Sequence, residues 1–519
     1  MRKAPHFQEQ EQTFDLFDGV NTTFNPSDIP QPGHRDWDGK LQLAQADNVY
    51  SPNDQRYLIT RPGMTDIRAT AVSATGIYTG GVHMGAIADE VITSISISGT
   101  SHNFYRDNAN PNGAIAGGTN LTQGGTNLVD FILFTDGTNP GAIAMSRLRD
   151  TPQFFVAATT RSDFSITSTL LPAFGEVFRS RAVYGAPSVS GTVYDDRYYW
   201  SDLRNGKTIT DITTQWDSVD TKEKDSLRAL RRFGEVLFAG KLNNVFLIAA
   251  NPAARTPFAQ REIPAGLYKG PVSQQGTVMA DEELFWMGQR NIHSLTPDGR
   301  IKDWGDSIRS TIETGLDDTN RQYTVAGYDA QRDLVLFAVT NSGDTINKRV
   351  IAVNVKTGAV FPNWTLNINA MFQRLVSGDN RLIVGGYVGL FRNWGTGTTG
   401  NADSQTGIIG ADIFTPRHDM GYKDWVKLFL GVKVKFKPSG NSEAVTLNYR
   451  MDDASVWSPF AESAYTVTGT ANDENIKYFG LGKVGTHCQL EFKDAVSGDV
   501  MQIQSYSIVY KILHPGFAH

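Results

Sequence analysis

The amino-acid sequence predicts an all-β protein in which a β-propeller is followed by a carboxy-terminal β-sandwich. Three observations predict this fold: apolar runs recur at nearly even spacing through the middle of the chain, a Gly-rich break follows near residue 400, and apolar residues alternate with polar ones beyond it. The predicted division is an amino-terminal arm over 1–14, the propeller over 15–397, a linker over 398–410 and the sandwich over 411–519.

Five strand-like runs define the repeat, each preceded by a polar turn and followed by a second strand-like run. They begin 38, 48, 50 and 48 residues apart. Their first residues are Tyr198, Val236, Leu284, Leu334 and Leu382. A period of about 40–50 residues with such runs is typical of radially repeated four-stranded sheets. We therefore expect at least four consecutive blades around a common axis between about 180 and 395, although a plain series of hairpins has the same local signals.

Two regions flank this clear repeat. Between about 70 and 180 the spacing blurs, and we expect further blades there with irregular insertions. Beyond the linker, Val432, Val434 and Phe436 alternate with lysines. Successive strand side chains point to opposite faces, so this period of two predicts half-buried sheets, and about 100 such residues suit a β-sandwich. We expect that module to fold on its own.

Composition excludes several classes of protein. The chain has 519 residues, more than the roughly 300 of a single compact domain, so two or more units are expected. A net charge of −6 supplies no overall basic field for holding nucleic acid. Cys488 is the single cysteine, so neither a disulfide framework nor a zinc site is predicted, and no metal or cofactor is expected. The sequence shows neither a secretory signal nor an apolar run of membrane length, so no membrane anchor is expected.

Short motifs near the amino terminus form an ordered set. They are a Gly-Val-Asn-Thr opening with Gly19 and Asn21, an Asn-Val-Tyr element at 48–50, and a closing Arg61, Pro62 and Gly63. With the repeat and the carboxy-terminal module, this order resembles the tail nozzle or hub proteins of short-tailed phages, also called head-completion or stabilisation proteins. The resemblance covers most of the chain, although an Asp precedes Gly19 where a second Gly is common in that family.

The resemblance implies a structural virion protein of the phage tail without enzymatic activity. In that family, copies form a homo-hexameric ring that extends the portal channel, retains packaged DNA and allows its ejection. The implied partners are the adaptor and portal proteins above the ring, tail fibre or spike proteins at its periphery and, transiently, double-stranded DNA. A net-acidic wall suits that passage, because dense Lys and Arg would bind phosphates and retard the duplex.

The densest basic cluster is formed by Arg228, Arg231 and Arg232. Its side chains can face DNA in a channel, pair with carboxylates of an adjacent subunit or form a solvated ion-pair face, and the acidic chain favours ion pairing. We expect this cluster to be among the intersubunit contacts. We expect the same of the amino-terminal arm, because a long polar arm gains little by folding on its own subunit.

No catalytic residues are predicted. Acidic residues such as Asp195 recur at the same position of successive blades, which favours solvated turns. Thr296 to Gly299 with Trp304 is the nearest approach to a sialidase box, but its spacing differs. Two other functions stay open: a receptor- or glycan-binding tail component with exposed aromatic rings such as Trp394 and Trp457, and a propeller glycan hydrolase.

Overall fold

A computed structural model describes most of the chain. The described residues are 9–30, 40–53, 56–66, 76–85, 91–97, 101–107, 115, 117–118, 121–122, 128–157, 160–219, 225–251, 257–376, 379–386, 391–394, 409–438, 443–468, 475–494 and 501–515. Strands dominate this part, and its single α-helix is Arg309–Gly315. Short 3-10 turns are Thr167–Thr169, Pro264–Gly266, Asp306–Ile308 and Arg321–Tyr323.

Seven four-stranded antiparallel units follow one another and form the blades of a propeller; six are separate sheets, and the sixth unit along the chain is part of an eleven-stranded sheet. From the axis outward, the strands are Ile77–His83, Val91–Ile97, Ser101–Asp107 and Leu121–Thr122 in blade 1; Val129–Thr135, Pro140–Ser146, Gln153–Ala157 and Thr160–Asp163 in blade 2; Phe174–Phe178, Arg181–Gly185, Arg197–Trp200 and Trp216–Ser218 in blade 3; Leu227–Phe233, Val236–Lys241, Val245–Ala250 and Phe258–Glu262 in blade 4; Thr277–Ala280, Glu283–Met287, Ile292–Leu295 and Ile301–Asp303 in blade 5; Val325–Asp329, Leu334–Val339, Arg349–Asn354 and Val360–Thr365 in blade 6; and Ile368–Val376, Asp379–Gly386, Phe391–Trp394 and Met64–Asp66 in blade 7.

The seven blades close into a ring. The innermost strand of each blade contacts that of the next, and the innermost strand of blade 7 contacts that of blade 1. Large apolar side chains fill the space between neighbouring sheets: Phe238 of blade 4 and Trp286 of blade 5 have ring centroids 5.1 Å apart. Full burial of a side chain of this size contributes about 2–3 kcal/mol. The expectation of at least four consecutive blades is confirmed.

The region with blurred spacing contains further blades, as expected, whereas one repeat position differs from the expectation. Blades 1 and 2 lie wholly between residues 70 and 180, so the repeat continues there. Four of the five repeat anchors lie in the second strand of a blade, whereas Tyr198 lies in a third strand. The first spacing is short for this reason. A small sheet pairs Leu170–Leu171, which precedes blade 3, with Ser188–Val189 and Thr192–Val193, which lie between the second and third strands of blade 3.

The sandwich combines strands from both ends of the chain. One sheet has the order Asn475–Gly485, Trp425–Phe436, Gln502–Pro515, Leu58–Thr60 and Val49–Tyr50, and Gln10–Phe14 also pairs with Gln502–Pro515. The other sheet runs from the outer strand of blade 6 through Gln45–Asp47, Ala411–Phe414, Cys488–Asp494 and Glu443–Met451 to Ser458–Val467. Phe17–Val20 and Leu41–Leu43 pair with each other beside it. Propeller and sandwich are therefore joined by a hydrogen-bonded sheet.

These pairings correct the expected domain boundaries. The sandwich includes Gln10–Phe14, Gln45–Asp47, Val49–Tyr50 and Leu58–Thr60, and the first propeller strand in the chain begins at Met64. The expectation that the arm contacts a neighbouring subunit is corrected for its described part: Gln10–Phe14 pairs antiparallel with the last strand of its own chain, and Phe14 is buried with its ring 4.4 Å from that of His418. Backbone pairing explains this, because a strand can be held by its main-chain ladder whatever its side chains are. Residues 1–8 of the arm and 398–408 of the linker lie outside the described residues.

Candidate functional site

Gly19 lies where the amino-terminal segment meets blade 6. Its strand runs parallel to the outer blade strand, with Gly19 opposite Val360. The glycine has φ of 90°, and a Cβ there would lie 2.6 Å from the backbone nitrogen of Val360. Only glycine permits both this backbone conformation and this approach. The motif residue thus allows the segment to lie against the propeller.

Asn21 closes the turn that follows. Its Oδ1 accepts hydrogen bonds from the backbone N–H groups of Thr23 and Phe24, both at 3.0 Å. Its Nδ2 donates to Oε1 of Gln42 at 2.8 Å. Asn side chains stabilise such turns by bonding to the backbone two or three residues on. Asn21 therefore has a structural reason to be in the motif.

Arg61 is buried where the sandwich meets blades 6 and 7. Its Nε donates to Oδ1 of Asn48 at 3.1 Å, and its Nη1 donates to the carbonyl of Pro62 at 3.2 Å. The same Asn48 oxygen accepts from the backbone N–H of Thr365 at 2.9 Å. Pro62 and Gly63 are also buried and lead directly into the closing strand of blade 7. All five motif residues thus lie at the junction of the two domains.

The three clustered arginines all lie on Leu227–Phe233, the innermost strand of blade 4. Arg231 is held inside the propeller by its own chain: its Nε donates to Oγ1 of Thr277 at 2.9 Å, and its guanidinium lies 3.8 Å from Glu176 and 4.0 Å from Asp130. This differs from the intersubunit pairing expected for Arg231. Arg232 is exposed, and its Nε donates to the carbonyl of Gly234 at 3.3 Å.

A buried polar layer crosses the propeller axis beside Arg231. Oδ2 of Asp130 accepts from the backbone N–H of Gly175 at 3.0 Å and from Nε2 of Gln274 at 3.3 Å, and Oε1 of Gln274 accepts from the N–H of Leu230 at 2.7 Å. Burial raises the pKa of Asp130 to about 6, although the positive charge of Arg231 opposes the shift. This layer ties together blades 2 to 5.

Two cavities lie on either side of this layer. One, of about 320 Å³, is lined by residues at the starts of the innermost strands, and the other, of about 410 Å³, by residues further along them. Asp130 and Gln275 line both. Side chains therefore fill the middle of the axis, and the two cavities form opposite mouths of the propeller.

Arg147, Arg149 and Arg228 line the first mouth. Arg149 forms an ion pair with Asp195, and its Nε donates to the carbonyl of Ala186 at 2.7 Å. The Nη1 of Arg147 donates to the carbonyl of Gln322 at 3.2 Å. In the described part of the chain, the buried Nε of Arg228 has no hydrogen-bond partner. Guanidinium groups that converge on a concave surface can bind an oxyanion.

Sequence reasoning identified Arg228 but missed the residues around it. Arg147 and Arg149 lie in a turn of blade 2, far from Arg228 in sequence, and only blade closure brings the three together. One signal for Asp130 was present: it is a charged residue inside the apolar run 129–134, and a buried charge usually has partners. Its partners themselves come from three other blades and could not be derived from spacing.

The acid of the sialidase-like motif, Asp298, and the nearby histidine His293 are both engaged in local contacts. Asp298 pairs with Oγ1 of Thr296 and with Arg300 in its own turn. His293 is buried in blade 5, with Nδ1 2.7 Å from Oδ1 of Asp303. Burial lowers the pKa of His293. The hydrogen bond from the His293 ring lowers the pKa of Asp303 to about 2, and a hydrogen bond from Lys269 adds to this shift. These contacts stabilise blade strands and turns.

The aromatic rings offered for glycan binding are less accessible than expected. Trp394 is 3% exposed, stacks on Trp364 at 5.9 Å between ring centroids, and donates its Nε1 to Asp329 at 2.8 Å. It is a core residue, and its expected exposure is wrong. Trp457 is half-buried, with the Arg450 guanidinium 4.6 Å from its ring centroid.

Known sequences and known structures give different results. No protein-family model matches the chain, and no curated protein sequence does. Among solved structures, it is similar to the WD40 β-propeller domain of Doa1, with 8% identity, 65% of this chain and 98% of that chain covered, and a TM-score of 0.38. It is also similar to the Neurospora crassa Pan2 WD40 domain, with 8% identity, coverages of 67% and 98%, and a TM-score of 0.35. Scores this low carry no argument, so the propeller assignment depends on the seven closed blades.

The described residues offer neither a membrane span nor a metal site. No helix in the described ranges is long and apolar enough to cross a membrane. The described His, Cys, Asp and Glu side chains form no group of three that could hold a metal ion.

Proposed function

We propose that this protein is a structural subunit of a ring-shaped phage tail nozzle or hub, which extends the portal channel, retains packaged DNA and allows its ejection. The observation that carries the proposal is the position of the motif residues on which the family resemblance depends. Gly19, Asn21 and Arg61 lie where the sandwich, blade 6 and blade 7 meet, and each has a specific bond or close approach there. The resemblance thus involves residues that define the architecture.

A rigid junction suits this function. A nozzle subunit must hold its place against the pressure of packaged DNA, so a hinge between its two domains would be a disadvantage. Here a hydrogen-bonded sheet runs from blade 6 into the sandwich through Gln45–Asp47. Arg61 and Asn48 add side-chain bonds across the same junction.

The DNA path in this proposal lies between subunits. The axis of the propeller is crossed by the Asp130 and Gln274 layer, and its cavities of about 320 and 410 Å³ cannot hold a duplex. A homo-hexameric ring would supply the channel, with adaptor and portal proteins above it and fibre or spike proteins at its periphery. Arg228 remains a candidate contact to a partner protein, and Arg232 a candidate contact to a neighbour or to DNA.

The proposed subunit is a virion protein and not an enzyme. Its acidic blade turns serve as ion-pair partners in this view: Asp195 pairs with Arg149, and Asp281 lies 2.5 Å from Nζ of Lys356. Such exposed pairs are common surface features of modest energy.

Symmetry-resolved electron microscopy of virions that contain this protein tests the proposal. We expect a ring of six copies below the portal and adaptor. Mass photometry of the purified protein is a weaker test, because ring assembly can require the adaptor as a template. A single copy per particle, or isolated spikes on the capsid exterior, would contradict the nozzle assignment.

A further inference from the structure

The mouth of the propeller at Arg228 combines buried positive charge with open space. Arg147 and Arg149 reach the cavity of about 320 Å³ from the turn after the second strand of blade 2, and Arg228 reaches it from the start of blade 4. The chain as a whole is acidic, with a net charge of −6. A local excess of arginine on such a chain indicates a specific anionic partner.

The charges at this mouth are incompletely matched. Asp195 pairs with Arg149, and Asp130 lies beside Arg231 deeper in the axis. Neither Arg147 nor Arg228 has a carboxylate within ion-pair distance in the described ranges; Arg147 donates to a backbone carbonyl instead. Burial, together with the positive charge of Arg228, lowers the pKa of Arg147 to about 10. A bound carboxylate would relieve both the repulsion and the unfilled hydrogen-bonding capacity.

A third cavity, distinct from the two mouths described above, continues the Arg228 mouth toward blades 5 and 6. It measures about 770 Å³ and shares Arg228 and Gln322 with the first. Arg290 adds an exposed guanidinium along its wall. Of the two acids that also line it, Glu313 lies 3.0 Å from Arg309 and Asp318 lies 2.9 Å from Arg321. The basic surface is therefore an elongated furrow, which suits an extended chain better than a single small ion.

We propose that this furrow binds an acidic peptide segment of a partner protein, with a carboxylate seated between Arg147 and Arg228. Shape favours a peptide over nucleic acid. The phosphates of a duplex lie on a broad convex surface and cannot enter a cavity of about 320 Å³, whereas a Glu or Asp side chain can. A guanidinium binds a carboxylate through paired N–H donors, and within the described residues the buried Nε of Arg228 has no hydrogen-bond partner. Binding would need only one copy of the chain, so it is independent of the proposed ring.

The test uses the purified full chain and two fluorescent peptides, one of alternating Glu and Ser and the other with Gln in place of Glu. Fluorescence anisotropy at low salt should show that the Glu peptide binds at least about tenfold more tightly than the Gln peptide. Arg228→Gln and Arg147→Gln should each lower the affinity for the Glu peptide by about tenfold or more. The matched control is Arg300→Gln, since the Arg300 side chain is 85% exposed and pairs with Asp298 away from the furrow. It should leave binding unchanged.

Further arms separate the proposal from general charge attraction and from misfolding. Arg228→Lys keeps the charge but loses the paired donors, so its affinity for the Glu peptide should lie between those of the wild type and Arg228→Gln. Thermal unfolding should verify that each variant is folded. Equal affinity for the two peptides, no binding to the wild type, or equal weakening by Arg300→Gln would overturn the proposal. Stronger competition by inorganic phosphate or by a short DNA duplex than by the Glu peptide would overturn it in favour of a phosphate site.

Discussion

The propeller and the sandwich are built from the chain in opposite ways. Blades 1 to 6 each take their four strands from one continuous stretch of the chain, interrupted in blade 3 by two short strands of another sheet, and only blade 7 takes a distant strand, Met64–Asp66. The sandwich, by contrast, pairs Gln10 with Tyr510 and the strand Gln45–Asp47 with Ala411–Phe414. One domain is local in sequence except at its closure, and the other depends on contacts between the two ends.

This difference explains how the two domains depend on each other. Closing a flexible loop of several hundred residues costs about 5 kcal/mol in chain entropy. The sandwich would carry this whole cost if it formed without a folded propeller between its strands. The closed propeller reduces it, because Met64–Asp66 lies beside Phe391–Trp394 and brings both ends of the chain to one place. Nδ2 of Asn48 then donates to the carbonyl of Gly410 at 2.9 Å. The propeller thus prepares the assembly of the sandwich.

The largest expected effect comes from separating the sandwich strands. A fragment of residues 411–519 lacks Gln10–Phe14, Gln45–Asp47 and Leu58–Thr60, which pair with its strands in the full protein. We therefore expect no cooperative thermal unfolding by circular dichroism, contrary to the independent folding that the sequence suggests. Adding a peptide of residues 9–66 in trans should restore part of the β signal. A cooperative transition of the fragment alone would contradict this dependence.

Acid should act on the two domains in opposite directions. In the propeller, burial raises the pKa of Asp130 to about 6, so its contribution to stability is full below about pH 4 and is lost as pH rises through 6. In the sandwich, burial lowers the pKa of His418 to about 3, so its contribution is full above about 6.5 and is lost as pH falls toward 3. The shifts correspond to about 3 kcal/mol for Asp130 and about 5 kcal/mol for His418.

Urea unfolding from pH 4 to pH 8 checks these directions. Relative to the wild type, Asp130→Asn should gain stability toward pH 8, and His418→Gln should gain stability toward pH 4. Many titrating groups contribute to the pH dependence of the wild-type free energy of unfolding. The comparison therefore uses the difference in this free energy between each variant and the wild type at each pH. Differences that stay constant with pH for both variants would contradict the assigned pKa directions.

A smaller effect is expected where the domains touch at Gly19. Gly19→Ala should cost about 3 kcal/mol, because φ is 90° and the new Cβ would meet the nitrogen and oxygen of Val360 at 2.6 and 2.7 Å. Gly343→Ala is the matched control: φ is 84°, but no atom lies within 4 Å of its Cβ position. It should cost only the backbone strain, about 1 kcal/mol. Equal losses in urea unfolding would show that the contact with blade 6 contributes nothing.

The local part of the fold could be predicted from sequence, and the non-local part could not. The anchors Val236, Leu284 and Leu334 mark second strands because each blade repeats its own apolar pattern. By contrast, Gln10–Phe14 has one apolar residue and is held by its pairing with the end of the chain. No local pattern indicates such a partner, so the sequence alone leads to the expectation that the arm contacts a neighbouring subunit.

The candidate site shows the same division. Arg231 and Arg228 are conspicuous as a cluster, but the identity of their neighbours depends on how blades 2 to 5 close around the axis. The five motif residues were recognised through a resemblance, whereas their role at the junction follows from contacts with Val360, Asn48 and Gln42. Sequence could identify these residues but not their partners.

The smallest effects are expected at exposed ion pairs, where the two domains should behave alike. Asp195 of the propeller pairs with Arg149 and has a side chain 57% exposed; Asp453 of the sandwich lies 2.8 Å from Arg417 and has a side chain 89% exposed. Exposed pairs are screened by solvent and salt, so Asp195→Asn and Asp453→Asn should each change the free energy of unfolding by about 0.5 kcal/mol. Urea unfolding in low and high salt checks this, and the difference from the wild type should shrink in high salt. A loss above about 2 kcal/mol at Asp195 alone would mean that the propeller mouth depends on this pair for its structure.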